Sequence, residues 1–319
     1  MNNKPESLRI VFMGTPEFAV TILDGLVKAS YNIVGVITAP DRPAGRGRKL
    51  RASAVKEYAL ENSLRVLQPT NLKNEDFIEE LQSLNANLQI VVAFRMLPKL
   101  VWQMPKYGTF NLHASLLPNY RGAAPINWAI INGENETGVT TFFIDEKIDT
   151  GHIIDFKKIA IEPDETAGDL HDKLMILGKE LVLDTVDDIE NGTVTTTPQP
   201  EINDIRTAFK IHKDTCKINW TTSIDTIYNL IRGLSPYPGA WCNLLNGEDQ
   251  GILKIYEVEK DIVNHNIAAG TIFVEHKQIK VAVKDGVIVL KNLQLPGKKR
   301  MRANDLLNGY EFKENAFVS

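Results

Sequence analysis

The first 190 residues alternate between short apolar runs and stretches with apolar residues at helical spacing. Residues 8–13, 32–38, 88–94 and 109–113 are near-continuous apolar segments of strand length. Runs of that kind, without polar alternation, predict strands buried on both faces, as in a parallel sheet. Between them, Phe18, Ile22, Leu26 and Val27 mark one face of a helix. Thr15 is expected to be its N-cap and Pro16 its first helical residue. Residues 53–62 and 75–84 predict helices and 66–68 a short strand. Residues 138–144 and 152–161 predict a strand pair near a sheet edge, and a long helix over 167–189 closes the unit. The fold class expected is α/β, a Rossmann-like, doubly wound and mostly parallel sheet.

The pattern changes near Gly192. Residues 193–200 hold four Thr and two Pro in eight positions, the composition of an extended linker. A helix over 224–234 then ends at Pro236-Tyr237-Pro238-Gly239. Short strand-like runs follow at 241–245, 253–258, 271–274, 278–283 and 287–290, with Asn246-Gly247 and Asp285-Gly286 as turn signals. About five short strands at this spacing predict a small OB-like β-barrel. Tyr237 and Trp241 are expected to pack it. The division expected is a catalytic domain over 1–192, a linker over 193–207 and a barrel domain over 208–319.

A length of 319 residues suits two domains. An apolar share of 43% with 24% charged residues is ordinary for a soluble protein. No apolar run reaches membrane-spanning length, and the first residues lead into a strand without a signal-peptide pattern, so a cytoplasmic protein is expected. Cys216 and Cys242 are too few for a disulfide framework or a zinc site, and two reduced thiols are expected. The net charge of −4 argues against a wholly basic nucleic-acid binder. Yet residues 208–319 hold 15 Lys+Arg against 12 Asp+Glu, a net +3, which leaves −7 for residues 1–207. Two basic clusters stand out. The stretch 41–51 carries Arg42, Arg46, Arg48, Lys49 and Arg51 against the single acid Asp41; Lys298, Lys299, Arg300 and Arg302 form the second. Neither lies in a nucleotide-binding glycine fingerprint. A solvated surface and a polyanion site are both open readings.

The chemistry concentrates in Asn111-Leu112-His113. Residues i and i+2 of a strand share a face, so the amide and the imidazole can aim at one point. Asp149, in Asp149-Thr150-Gly151, can bring a carboxylate to the imidazole. Such a set can stabilise an oxyanion and move a proton without a Ser or Cys nucleophile. Taken alone, Asn-x-His on a strand is usually a hydrogen-bonded core pair, and Asp-Thr-Gly an ordinary turn. Aspartic proteases use that tripeptide in two copies, and one is present here.

Taken together, these motifs resemble the methionyl-tRNA formyltransferases, within the wider group that uses 10-formyltetrahydrofolate. The resemblance runs through Val11-Phe12-Met13-Gly14-Thr15-Pro16-Glu17-Phe18 and the basic stretch from Asp41 to Leu50. It continues through Asn111-x-His113-x-Ser115-Leu116-Leu117-Pro118, Tyr120-Arg121-Gly122-Ala123-Ala124-Pro125-Ile126 and Asp149-Thr150-Gly151. It implies formyl transfer to the amino group of methionine on initiator tRNA, for translation initiation; no metal is expected, since the sequence holds no clustered Cys/His ligand set. By the same resemblance Asn111 and His113 donate to the developing oxyanion. Asp149 holds His113, favours its charged form and helps take the amine's proton. Ser115, Leu116, Leu117 and Pro118 line the folate site, together with Phe94, Arg95, Met96 and Leu97. That second stretch departs from the family pattern Ala-Tyr-Gly-x-x-Leu-Pro, since it lacks the glycine and is one residue shorter. Arg42, Arg46, Arg48, Lys49 and Arg51 would guide the tRNA acceptor end, and Lys298, Lys299 and Arg300 would meet phosphates further along. A monomer is expected. His152 and His171 are read as structural or exposed. A formyltransferase acting on a small amine, and an RNA-binding protein without activity, remain the alternatives.

Overall fold

The computed structural model describes residues 7–44 and 49–319. The chain begins with β1 (Ile10–Gly14), α1 (Glu17–Lys28) and β2 (Ile33–Ile37). The short strands β3 (Arg42–Ala44) and β4 (Lys49–Arg51) follow, then α2 (Ala54–Glu61), β5 (Val66–Leu67), α3 (Glu75–Ser83), β6 (Leu88–Val92) and α4 (Lys99–Trp102). Next come β7 (Thr109–His113), β8 (Arg121–Gly122), α5 (Pro125–Ile131), β9 (Glu136–Phe143), β10 (Ile153–Ala160) and α6 (Ala167–Asn191). One sheet takes the order β10-β9-β7-β6-β1-β2-β5. Its members β5, β2, β1, β6 and β7 run parallel, and β9 runs antiparallel to β7. The chain builds outward from β1 through β2 to β5, then returns to β6 on the other side of β1. That reversal is a topological switch point, and ligands of open α/β sheets bind beyond the carboxyl ends of the strands there.

The apolar strand runs explain the layering. Ile10, Val11, Phe12 and Met13 have no exposed surface, so β1 is covered on both faces. Val11, Met13 and Val91 share a core with Phe77 and Leu81 of α3. At α2 and α3, Ser53 and Asn74 are the cap residues, and their side chains accept the N–H groups of Lys56 and Phe77. At α1 the expectation is corrected by one residue. Pro16 is the cap residue, in extended conformation, and Glu17 is the first helical residue, with no side-chain cap. An acidic residue in the first turn suits the helix dipole in its place.

The barrel region adds β11 (Thr207–Ala208), α7 (Ile224–Gly233), β12 (Ala240–Asn246), β13 (Asp249–Asp261), β14 (Ile272–Glu275), β15 (Gln278–Val283), β16 (Gly286–Gln294), β17 (Met301–Arg302), α8 (Ala303–Leu306) and β18 (Phe317–Val318). The sheet order is β14-β15-β16-β13-β12-β18, with β17 beside β16. A bridge between Thr271 and Phe317 joins the two ends, so the antiparallel sheet is a nearly closed barrel. Alternation along β12 turns Ala240, Cys242, Leu244 and Asn246 inward. Trp241 is half-buried against the core. Tyr237 does not pack the barrel: it is 84% exposed, because it sits in the turn after α7 and not at an inward strand position.

The chain folds into two compact units. One takes the described residues up to Gly122 with Thr137–Ile159 and His171–Thr207; the other takes Ala123–Glu136, Ala160–Leu170 and Ala208–Ser319. Two early segments therefore belong with the barrel residues. Among the described residues, no helix is long and apolar enough to cross a membrane.

Candidate active site

Strand β7 ends at His113, at the carboxyl edge beside the switch point. Asn111 lies opposite Val91 of β6 and Phe142 of β9, and His113 opposite Thr140. The chain then folds back tightly. The Ser115 hydroxyl donates to the Asn119 carbonyl (2.7 Å), and Thr140 Oγ1 donates to the Ser115 carbonyl (2.7 Å). This turn brings the Tyr120 carbonyl within 2.8 Å of His113 Nε2. A carbonyl only accepts, so Nε2 carries a hydrogen. The nitrogen left open is Nδ1, and Asp149 Oδ2 lies 3.9 Å from it. That separation is too long for a hydrogen bond and short enough for an ion pair with an imidazolium. The Tyr120 carbonyl therefore fixes the ring, and Asp149 is its ionic neighbour. Among the described residues the Asn111 side chain has no hydrogen-bond partner, so its N–H donors are available.

Asp149 is held from several directions. Its backbone is left-handed (φ 55°), a conformation that Asp tolerates better than most residues. Its Oδ2 accepts the Gly122 N–H at 2.9 Å. Asp145 accepts the Lys147 N–H and the Thr150 hydroxyl, at 2.9 and 2.7 Å, and so closes the turn before it. Gly151 presses its backbone on β9: a Cβ there would lie 1.6 Å from the Phe143 carbonyl oxygen. Only glycine fits. From the Thr/Pro-rich stretch, Gln199 Nε2 donates to the carbonyls of both Asp149 and Gly151, each at 2.9 Å. Its Oε1 accepts Arg121 Nε and Nη2, at 3.1 and 2.5 Å.

The stretches expected to line the folate site divide by environment. Ser115 is fully buried and, like Leu117 and Pro118, belongs to the turn that shapes the site; Leu116 is half-buried. Ala93 takes φ 47°, the left-handed turn that a glycine would ease. Phe94 and Leu97 pack on the core shared with α3. The Arg95 guanidinium donates to the Thr70 and Pro69 carbonyls. Burial, and then the neighbouring Arg42 cation, pull it below the usual arginine range. Met96 is left 66% exposed, a free apolar side chain beyond the carboxyl end of β6.

Of the first basic cluster, Arg46 and Arg48 lie outside the described residues. Arg42 and Arg51 face each other across the β3–β4 ladder, and Lys49 pairs with Ala44 in it. Like charges directly opposite are destabilising on their own. In the second cluster Lys298 and Lys299 are exposed at the turn between β16 and β17. Arg300 is tied down instead. It donates to Asn292 (2.8 Å), and its guanidinium lies 4.4 Å from the centre of the Tyr256 ring. His152 is exposed, and His171 pairs with Asp172 and edges onto Phe18. Nothing in the sequence pattern points to Gln199. Tyr120 and Gly122 do lie in a motif, but both act through backbone atoms, which the motif does not disclose. A hollow of about 560 Å³ lined by Trp102, Tyr107, Thr109 and Phe143 lies at the amino end of β7, away from these groups. Among the described residues no cluster of His, Cys, Asp and Glu is placed to hold a metal ion.

Comparison with known proteins shows the family. Residues 8–186 match the family described as formyl transferase, and residues 210–311 match the formyl transferase C-terminal domain. A methionyl-tRNA formyltransferase of Flavobacterium johnsoniae is 64% identical over 98% of this chain and 99% of its own length. One of Bacteroides thetaiotaomicron is 53% identical over 98% of each. Among solved structures, WlaRD, a sugar 3N-formyl transferase, superposes with a TM-score of 0.61 at 23% identity, over 89% of this chain and 98% of that one. At that identity the likeness is one of fold.

Proposed function

Because the chain belongs to the formyl transferase family, among the methionyl-tRNA formyltransferases, we propose that it moves the formyl group of 10-formyltetrahydrofolate to the α-amine of methionine on initiator tRNA. The observation that carries this reading is the Asn111–His113–Asp149 set at the carboxyl edge of β7. The amine attacks the formyl carbon, the bond from that carbon to the folate nitrogen breaks, and one amine proton is passed to the leaving nitrogen. Negative charge gathers on the formyl oxygen. Asn111 supplies a donor for it that no described protein group already uses, and preorganised donors of this kind are commonly the largest single contribution to such a step. His113 Nδ1 is the open ring nitrogen, and the Asp149 carboxylate lies 3.9 Å from it. Depending on its protonation, Nδ1 donates to the oxyanion or receives the amine's proton.

Met96 and the 115–118 turn offer an apolar and backbone-lined wall suited to a pterin. Arg42 and Arg51 are the described cations of the first unit suited to the acceptor end of the RNA. Translation initiation in the cytoplasm, by a monomer, is the setting we assign.

The test is a transfer assay with purified protein, 10-formyltetrahydrofolate and initiator Met-tRNA. We expect formyl-Met-tRNA from the wild type, and a loss on the order of a hundredfold or more in kcat for His113→Ala and for Asp149→Asn, with tRNA binding kept. Near-normal turnover by either variant would remove the residue roles. Transfer to small amines but never to Met-tRNA would move the function to the small-substrate formyltransferases.

A further inference from the structure

We infer that Gln199 is a positioning residue for the reaction, which sets the Asp149 carboxylate against His113 from the Thr/Pro-rich segment that follows α6. The inference rests on the formyl-transfer reading of this site.

The geometry leaves Gln199 one orientation. Arg121 can only donate, so the atom facing its Nε and Nη2 must be Oε1. The Asp149 and Gly151 carbonyls can only accept, so the atom facing both must be Nε2. All four contacts agree on the same amide assignment. The amide therefore spans the Asp149-Thr150-Gly151 turn and pins the carbonyls on either side of Thr150 to one nitrogen. The turn needs such a pin. Asp149 is held in a left-handed conformation (φ 55°), and its carboxylate reaches the site from a loop and not from a strand. Among the described residues, the hydrogen bond the carboxylate itself makes is from the Gly122 N–H. Arg121, next in sequence to Gly122, is itself the residue that orients Gln199. Three contacts thus close a ring: Arg121 to Gln199, Gln199 to the Asp149 main chain, and the Asp149 side chain back to Gly122.

The remainder of the segment is fastened to the same loops. Thr197 bridges Ile153, just past the turn. Arg206 receives the Tyr120 N–H on its carbonyl, at 2.5 Å, and gives its own N–H to Asn119 Oδ1 at 3.2 Å. Tyr120 supplies the carbonyl that fixes the His113 ring. Both partners of the His113–Asp149 pair are therefore set by residues 197–206, from opposite sides.

The decisive variant is Gln199→Glu. It is nearly isosteric and keeps the acceptor for Arg121, but it replaces the shared donor with an oxygen that faces two carbonyls. Gln199→Ala is the companion that removes both functions. Both are measured in the wild-type background and in Asp149→Asn. A misplaced reacting group commonly loses up to about a hundredfold in rate, so each single variant is expected to lose about ten- to a hundredfold in kcat. KM for both substrates is expected to stay within about twofold. In the Asp149→Asn background the same change should cost almost nothing, since residues that act through one another are not additive. A full loss that persists in that background would show that Gln199 acts elsewhere, and equal kcat for Gln199→Glu and wild type would overturn the proposal. Amide exchange at Gly122 supplies a second readout that needs no activity. Its N–H is bonded to the carboxylate, so Gln199→Glu should lower its protection while core amides of β1 keep theirs. Unchanged protection would overturn the clamp. A wild type that forms no formyl-Met-tRNA would instead overturn the transfer reading, and the exchange result would still decide the clamp.

Discussion

At the scale of single residues, Asn111 and His113 have different surroundings although they share one strand face. His113 has a fixed tautomer, because Tyr120 offers only a carbonyl. Asn111 has no partner among the described residues, so its contribution rests on its donors alone. Asn111→Asp tests this sharply. The shape is kept, the N–H donors are lost, and a negative charge is placed where more is about to develop. We expect Asn111→Asp to lower kcat further than Asn111→Ala, which by itself should cost on the order of a hundredfold. Equal rates for the two variants would mean that no negative charge develops near this position. The pair is legible in the sequence because strand alternation has a period of two, and the carboxylate because a family motif marks it. Gln199 and the Tyr120 carbonyl are not. A glutamine that binds two main-chain carbonyls leaves no periodicity, and it sits among Thr and Pro residues whose composition reads as a linker. The carbonyl of Tyr120 is common to every residue type, so no side-chain pattern can announce it.

At the scale of elements, the apolar strands and the helices expected in the first 190 residues are readable to within a residue or two, since burial dictates their pattern; in the barrel, β13 and β16 run up to four residues beyond the expected 253–258 and 287–290, because the added ends are not apolar runs. The β3–β4 hairpin is not. Arg42, Pro43, Leu50 and Arg51 are all exposed, Leu50 by 71%, so nothing in their polarity marks a strand. What fastens the start of the hairpin is Asp41. It accepts Lys56 Nζ at 2.6 Å and Gln68 Nε2 at 2.8 Å. The hydrogen bond from Lys56, and then the one from Gln68, hold its carboxyl below the ordinary range. A depressed carboxyl contributes stability above its unfolded pKa, and that contribution is lost as pH falls through the folded value. Asp41→Asn should therefore lower Tm near neutral pH, and the gap from wild type should close as the pH drops through and below the ordinary carboxylate range. A gap that stays constant down to acid pH would show that the ion pair contributes nothing.

At the scale of the whole molecule, a chain of net charge −4 must still engage a polyanion. The asymmetry of −7 against +3 suggests a division of that task, and we propose that two sets of described cations carry it. Arg42 and Arg51 face each other on one hairpin, and Arg95 lies close enough to Arg42 to feel its charge. Such an arrangement is unfavourable on its own, and a phosphate entering there would relieve it. Lys298 and Lys299 stand exposed on a barrel turn, whereas Arg300 already has an acceptor and an aromatic face. We therefore propose the two lysines, rather than Arg300, as the phosphate contacts of that cluster. Removing a phosphate contact should flatten the dependence of log affinity on log salt by about 0.7 to 0.9 per charge. A distal contact should change affinity and leave the chemical step alone, whereas a cation that guides the acceptor end should also change turnover. We expect Lys298→Gln/Lys299→Gln to flatten the salt slope by about two such increments with kcat preserved. Arg42→Gln should flatten it by about one and lower kcat as well, while leaving KM for the folate unchanged. The measurement is tRNA affinity against salt for the three proteins, with transfer rates at saturating substrate. If the three lines coincide and the rates agree, both clusters are solvated surface and the RNA is held elsewhere. If only the lysine pair matters, the facing arginines are a structural feature of the hairpin.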